Sequence, residues 1–358
     1  MNKFIHPLLV FFVMALLTSP VHAQIFDLNV TSYGSLGANT TFKNFVDAEI
    51  LKVENKVNSD LPNAEPKRLM QGMANSSAMA TKGVGTDYAS HMDVFLVGAS
   101  LGAGVDLEKQ SNSDSDFSGV GVAPGVVVGT NLGFIGYNRW AMYVNFMSYL
   151  HKQKLSTKPG EESSAEIGMF TLGTHFRYNL IHRQGGKLLG WGGLKLHFGY
   201  DYNSTALNFK STIRKTVNET SSSNEQIRGT IIGNPEAVID VATHTIPLEI
   251  STDIQVLYLF SFYTGLGTDV NFGGAKGKAN LNADESNLTC TGGACGAGEV
   301  IKVLASANIN EKASVSPLFL RGFFGAQINL PYLRIYGQVN KNFGDDLIGV
   351  AAGARFVF

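Results

Sequence analysis

The sequence predicts an all-β protein, an antiparallel transmembrane β-barrel of about ten strands preceded by an N-terminal helical segment. Two observations carry this. Apolar and polar residues alternate strictly over ten or more positions in segment after segment, and the connections between those segments are alternately short and long. Composition agrees. Of 358 residues only 16% are charged while 40 are glycine, against roughly 25% charged and about 7% glycine in soluble domains. Past the first 20 residues no apolar run approaches the ~20 residues of a membrane helix, which excludes a polytopic helical protein. A net charge of -1 gives no general attraction to nucleic acid, so none is expected as a partner.

Residues 1–23 read as a secretory signal peptide. Lys3 supplies the positive n-region, Pro7 to Leu17 the apolar core, and Val21-His22-Ala23 a small-residue cleavage site before Gln24. The apolar core is too short for a membrane anchor. Residues 24–92 form the second unit, a periplasmic or lumen-plugging helical segment. Within 42–57, Phe42, Phe45, Val46, Ile50, Val53 and Val57 recur at spacings of three and four, predicting an amphipathic helix that ends at Asp60-Leu61-Pro62. A second, short helix is expected to start at Pro66, because proline is tolerated in a first turn.

From residue 93 to the end the period is two. Strands are expected at 93–108, 118–132, 138–152, 166–181, 188–209, 242–256, 261–276, 315–329, 332–343 and 347–358. The connections 133–137, 182–187, 257–260 and 330–331 are short, while 109–117, 153–165, 210–241 and 277–314 are long. The count rises to 12 if 225–236 or 298–310 also pairs. A two-sheet sandwich also explains alternation, but not strands this long or loops that alternate in length. Trp140, Tyr178, Tyr200, Tyr202, Phe343 and Phe356 fall near expected strand ends, as interfacial girdles do.

The chain ends Leu347-Ile-Gly-Val-Ala-Ala-Gly-Ala-Arg-Phe-Val-Phe358, with Phe358, Phe356, Ala354, Ala352, Val350 and Ile348 at every second position. This ending resembles the terminal strand of Gram-negative outer-membrane β-barrels. The resemblance is at class level, covering the signal peptide, the barrel and the C-terminus. It implies an integral outer-membrane location and contact with outer-membrane lipid and lipopolysaccharide. It also implies recognition by the barrel-assembly machinery, with Phe356 and Phe358 as the assembly signal.

Parity counted back from Phe358 assigns the lumen. Charged inward positions are His175, Arg177, Lys195, His197, Asp201, Glu249, Asp253, Asp269, Arg321, Arg334 and Arg355. Gly98, Gly102, Gly104, Gly119, Gly121, Gly125, Gly349 and Gly353 form an inward small-residue patch on three strands that become adjacent on closure. Part of 24–92, foremost the 42–57 helix, is expected to pack on this patch as a plug. The competing reading is a narrow barrel simply filled by small side chains.

The charged wall supports two functions. One is a narrow channel, gated or not, for small polar solutes or ions. The other is a closed, salt-bridged interior in a structural or surface-interaction barrel. A third reading, a rim protease, rests on Asp240 and His244 with Asp114, Asp116 and His151; a carboxylate orienting a histidine is sound general-base chemistry. The close Asp–Asp and Asp–His spacing of ten-stranded outer-membrane proteases is absent, so no enzyme is expected. The eight histidines are scattered and predict no metal site, and no cofactor is expected. Cys290 and Cys295, in a glycine-rich loop, are expected to form a local disulfide in an oxidising compartment.

Overall fold

The computed structural model describes residues 27–32, 66–89, 95–107, 119–154, 163–185, 188–220, 226–283, 286–292 and 295–358. Ten antiparallel strands close into a ring. They are β1 (Phe95–Asp106), β2 (Gly119–Asn131), β3 (Trp140–Lys154), β4 (Ser163–Ile181), β5 (Leu189–Ser211), β6 (Gln226–Val256), β7 (Phe260–Ala283), β8 (Leu318–Leu330), β9 (Leu333–Asn342) and β10 (Leu347–Val357). Each pairs with the strands before and after it in sequence, and β10 pairs with β1, from Leu347 opposite Asp106 to Val357 opposite Leu96. The strand order is closed, but the β2–β3 ladder runs only from Val126–Phe146 to Asn131–Ala141; farther out, the carbonyls of Gly119 and Val122 accept instead from the side chains of Ser76 and Asn203. The expected ten-stranded barrel is therefore the observed one.

Its polarity is the reverse of a soluble protein's. Leu101, Leu266, Phe324 and Val339 project outward and are exposed, whereas Arg177, Asp269, Arg321 and Asn340 project inward and are at most 1% exposed. On β7 the outward apolar and Thr positions run from Phe260 to Phe272. At about 3.4 Å per residue and a tilt near 40°, that run covers roughly 30 Å, the thickness of a bilayer's hydrocarbon core. Such a surface is stable only against hydrocarbon.

The 210–241 and 277–314 connections differ from the expected loops. β6 and β7 run on past the apolar band, and Ala283 still pairs with Gly233. Ile213–Thr220 pairs with the start of β6, and Cys295–Ser314 pairs with the outer half of β7 before the chain turns at 315–317 into β8. These pieces, which include 225–236 and 298–310, lengthen existing strands and add none to the ring. Asp27–Ser32 pairs with residues 302–306 of this outer extension.

Among the described residues one α-helix, α1 (Pro66–Ala80), starts at the expected proline and lies inside the ring. The expected 42–57 helix lies outside the described residues. α1 begins near Gly277 at the long-loop end, and Ala89 accepts from Gln327 Nε2 near the short turns. The chain thus enters the lumen from the long-loop end and leaves at the end where Phe95 bonds Phe358 and β1 starts. The strand at 27–32 sits at the long-loop end.

Candidate functional site: the filled lumen

Small residues meet small residues where α1 touches the wall. A Cβ on Gly102, Gly104, Gly119 or Gly121 would overlap main-chain atoms of Ala80, Ser76, Gly72 or Ser77, so the helix backbone rests directly on β1 and β2. Gly349 and Gly125 make room for Met79 and Val84. Gly98 and Gly353 differ from the expected patch. They lie nearer the short-turn end, where Arg355 and Tyr336 of the wall itself fill the space beside them. The opposite side of α1 is apolar: Met70, Met73, Ala74, Ala78 and Met79 cluster with Val241, Ala275, Val315, Phe319 and Leu347.

Polar atoms on α1 are matched one by one. Ser76 Oγ donates to Gly119 O at 2.9 Å, and Asn203 Nδ2 donates to Ser77 O at 3.1 Å. Asn75 donates to Asp106 at 3.3 Å and accepts from Ser316 N at 2.9 Å.

Beyond Ala80 the chain turns through residues 81–85, with Val84 N donating to Thr81 O at 3.2 Å, and here it meets the charged wall. Lys82 Nζ lies 3.4 Å from Asp201 and 3.7 Å from Asp269, while His175 Nε2 lies 2.9 Å from the other Asp201 oxygen. Asp87 stands between Arg334 at 3.3 Å and Arg355 at 3.4 Å. Its own carbonyl accepts from Arg177 at 2.8 Å, and Arg355 donates to Thr86 O at 2.6 Å. Lys195 donates to Tyr88 O at 2.6 Å and pairs with Asp253. The Tyr88 hydroxyl donates to Glu249 at 2.7 Å, and its ring packs among His197, Tyr263 and Phe323. Arg321 bonds Glu249, Asp269 at 2.8 Å and Asn340 at 3.0 Å.

All eleven charged positions assigned to the lumen therefore face inward and are buried, and residues 81–89 are buried among them. The missing ingredient at the sequence level is the plug's own contribution. Lys82, Asp87 and Tyr88 sit in a stretch without periodicity, and only their position before the first strand hints at them.

The remaining expectations fall apart spatially. Asp240 and His244 lie on the outward face of β6, and His244 Nδ1 is engaged by the Tyr200 hydroxyl at 2.7 Å, with no carboxylate on that nitrogen. His151 stacks on Tyr149, and Asp114 and Asp116 lie outside the described residues. No cluster of three potential metal ligands occurs among the described residues. Cys295 stands opposite Gly292 in the outer extension; the two cysteine side chains lie outside what is described. Phe356 and Phe358 are exposed at the short-turn end.

A family model described as Lsa36-like matches residues 21–358. The chain belongs to the Lsa36-like family. A comparison with curated proteins returned no match. Among solved structures, this Lsa36-like chain is similar to the transport unit of the autotransporter AIDA-I from Escherichia coli. The two are 11% identical, with a TM-score of 0.34 over 82% of this chain and 99% of that one. The translocator domain of the autotransporter NalP from Neisseria meningitidis is 10% identical, with a TM-score of 0.31 over 79% and 93%. The toluene transporter TbuX from Ralstonia pickettii is 8% identical, with a TM-score of 0.26 over 81% and 99%.

Proposed function

We propose that the protein is a closed outer-membrane barrel that carries its own N-terminal part and its strand-extended hairpins on the cell surface, as a structural or surface-interaction protein. One observation carries the reading: residues 66–89 run the length of the lumen from the long-loop end, buried without a break from Gly72 to Ala89 and tied to the wall by ion pairs. In outer-membrane barrels the short turns are periplasmic and the long loops extracellular. With that orientation, the 27–32 strand and its 302–306 partner stand outside the cell. The outward terminal phenylalanines fit recognition by the barrel-assembly machinery, and the apolar band fits contact with outer-membrane lipid and lipopolysaccharide.

The test is topological. A peptide tag inserted just before Asp27 is expected to be reached on intact cells by an antibody or a membrane-impermeant reagent. Access only after the outer membrane is broken would contradict the reading.

A second reading has one observation in its favour. The plug is held by side-chain and packing contacts rather than by strand pairing, and behind it the wall carries facing opposite charges. Withdrawal of 66–89 would turn the same barrel into a narrow channel for small polar solutes or ions.

A further inference from the structure

At the long-loop end, just above the apolar band, two strand segments and the first turn of α1 bring three lysines together. The last outward apolar residues are Ile246 on β6, Phe272 on β7 and Leu318 on β8. A few positions farther out, Asp240 pairs in register with Lys276, and Lys276 with Lys312 of the 295–314 extension. Placing two lysines opposite each other on neighbouring strands opposes folding unless something negative sits between them. Asp240 is on the same row, yet among the described residues no ion pair engages Lys67, Lys276 or Lys312.

These residues line a cavity of about 870 Å³ whose wall also includes Gln71 and His244. Its floor is the pair of backbone junctions where β7 changes partner. Val315 N donates to Gly273 O at 3.1 Å and Asn271 N to Pro317 O at 2.9 Å. Gly273 has a φ of 96°, the left-handed region, so a side chain there would be strained as the wall bends around the cavity.

We propose that this cavity seats a phosphate group of an outer-leaflet glycolipid. Lys276 and Lys312 would flank the phosphate and Lys67 would approach from the plug side. The lipid source follows from place. The cavity opens at headgroup height, directly above Ile246, Phe272 and Leu318, against which the acyl chains would lie. A mobile lysine ammonium is a good point-charge partner for a phosphate oxygen. The site rests on the proposed membrane orientation, because only that orientation puts these lysines in the outer leaflet.

The experiment uses the full mature chain folded in detergent, titrated with bis-phosphorylated lipid A and read by native mass spectrometry. The Lys276→Gln, Lys312→Gln double variant is expected to bind at least about tenfold more weakly. A Lys210→Gln variant, whose lysine already pairs with Glu236 at 3.0 Å, is expected to bind as the parent does. Dephosphorylated lipid A is expected to bind as weakly to the parent as lipid A does to the double variant, and inorganic phosphate at equal concentration is expected not to displace the lipid. Unchanged affinity in the double variant, equal binding of dephosphorylated lipid, or displacement by phosphate alone would each overturn the site. Heat-modifiable migration is run on every sample. A folded barrel that ignores lipid A sinks the site alone, whereas a parent chain with no heat-modifiable form sinks the barrel reading and the site with it.

Discussion

Asp87 concentrates the energetics of the plug in one carboxylate. It is 2% exposed, lies within 3.4 Å of both Arg334 and Arg355, and its carbonyl accepts from Arg177. Removing one member of a buried ion pair leaves the other charge desolvated, at about 3–5 kcal/mol. Asp87→Asn is therefore expected to loosen 66–89 without dissolving the ring, whose ladders do not involve it. Limited proteolysis should cleave the variant within 81–89 under conditions that leave the parent intact. Equal resistance in both would argue that the ion pairs do not hold the plug. At this scale the sequence is a good guide to the wall, because strand parity fixes which side chains face inward. His175, Arg177 and Arg321 could be assigned to the lumen from alternation alone. Their partners could not. Whether Arg334 meets a carboxylate from a facing strand or from a threaded segment depends on what occupies the space, and alternation carries no information about that.

The glycine face of β1 and β2 governs how α1 docks. Gly104→Leu and Gly121→Leu place four-carbon side chains where the backbone of Ser76 and Ser77 now lies. The two residues face each other in the β1–β2 ladder through backbone groups that leucine keeps, so the pair of substitutions is expected to keep heat-modifiable migration while expelling the helix. Overpacking of this kind costs about 1–3 kcal/mol when neighbours can shift, and more against rigid backbone. A thermal midpoint equal to the parent's would show that the glycines matter only to the strands. The helix itself was harder to read than its seat. An amphipathic pattern marks a helix with one wet and one dry face, which is why 42–57 stands out in the sequence. α1 has no wet face. Met70, Met73 and Met79 meet apolar wall, Ser76 and Ser77 meet polar wall, and all are buried, so no period of 3.6 survives. The run Gly72 to Ala80, rich in Ala and Ser, is the signal that matches a glycine groove. The outer halves of β6 and β7 escaped for a related reason. Beyond the apolar band the alternation breaks down although pairing continues: β6 carries apolar neighbours such as Ile231-Ile232 and Val238-Ile239, and β7 a run of Gly, Ala and Lys.

For the molecule as a whole, closure and strand order were legible because a meander of neighbouring strands needs only the alternation and the connection lengths. The direction in which the N-terminal chain passes through the ring was not. A plug entering from either end would present the same composition, and only the pairing of 27–32 with 302–306 and the course from Pro66 to Ala89 settle it. That course makes the lumen a filled core: the wall's charges pair with the chain that runs between them, and an open aqueous path would need those pairs broken.

The most direct test of this account is conductance across a planar bilayer, measured for the folded mature protein and for the same protein lacking residues 66–89. The account predicts no resolvable openings from the intact chain and steady openings from the shortened one, with both showing heat-modifiable migration. Steady openings of equal size from the two proteins would contradict it, because the segment could not then be filling the lumen.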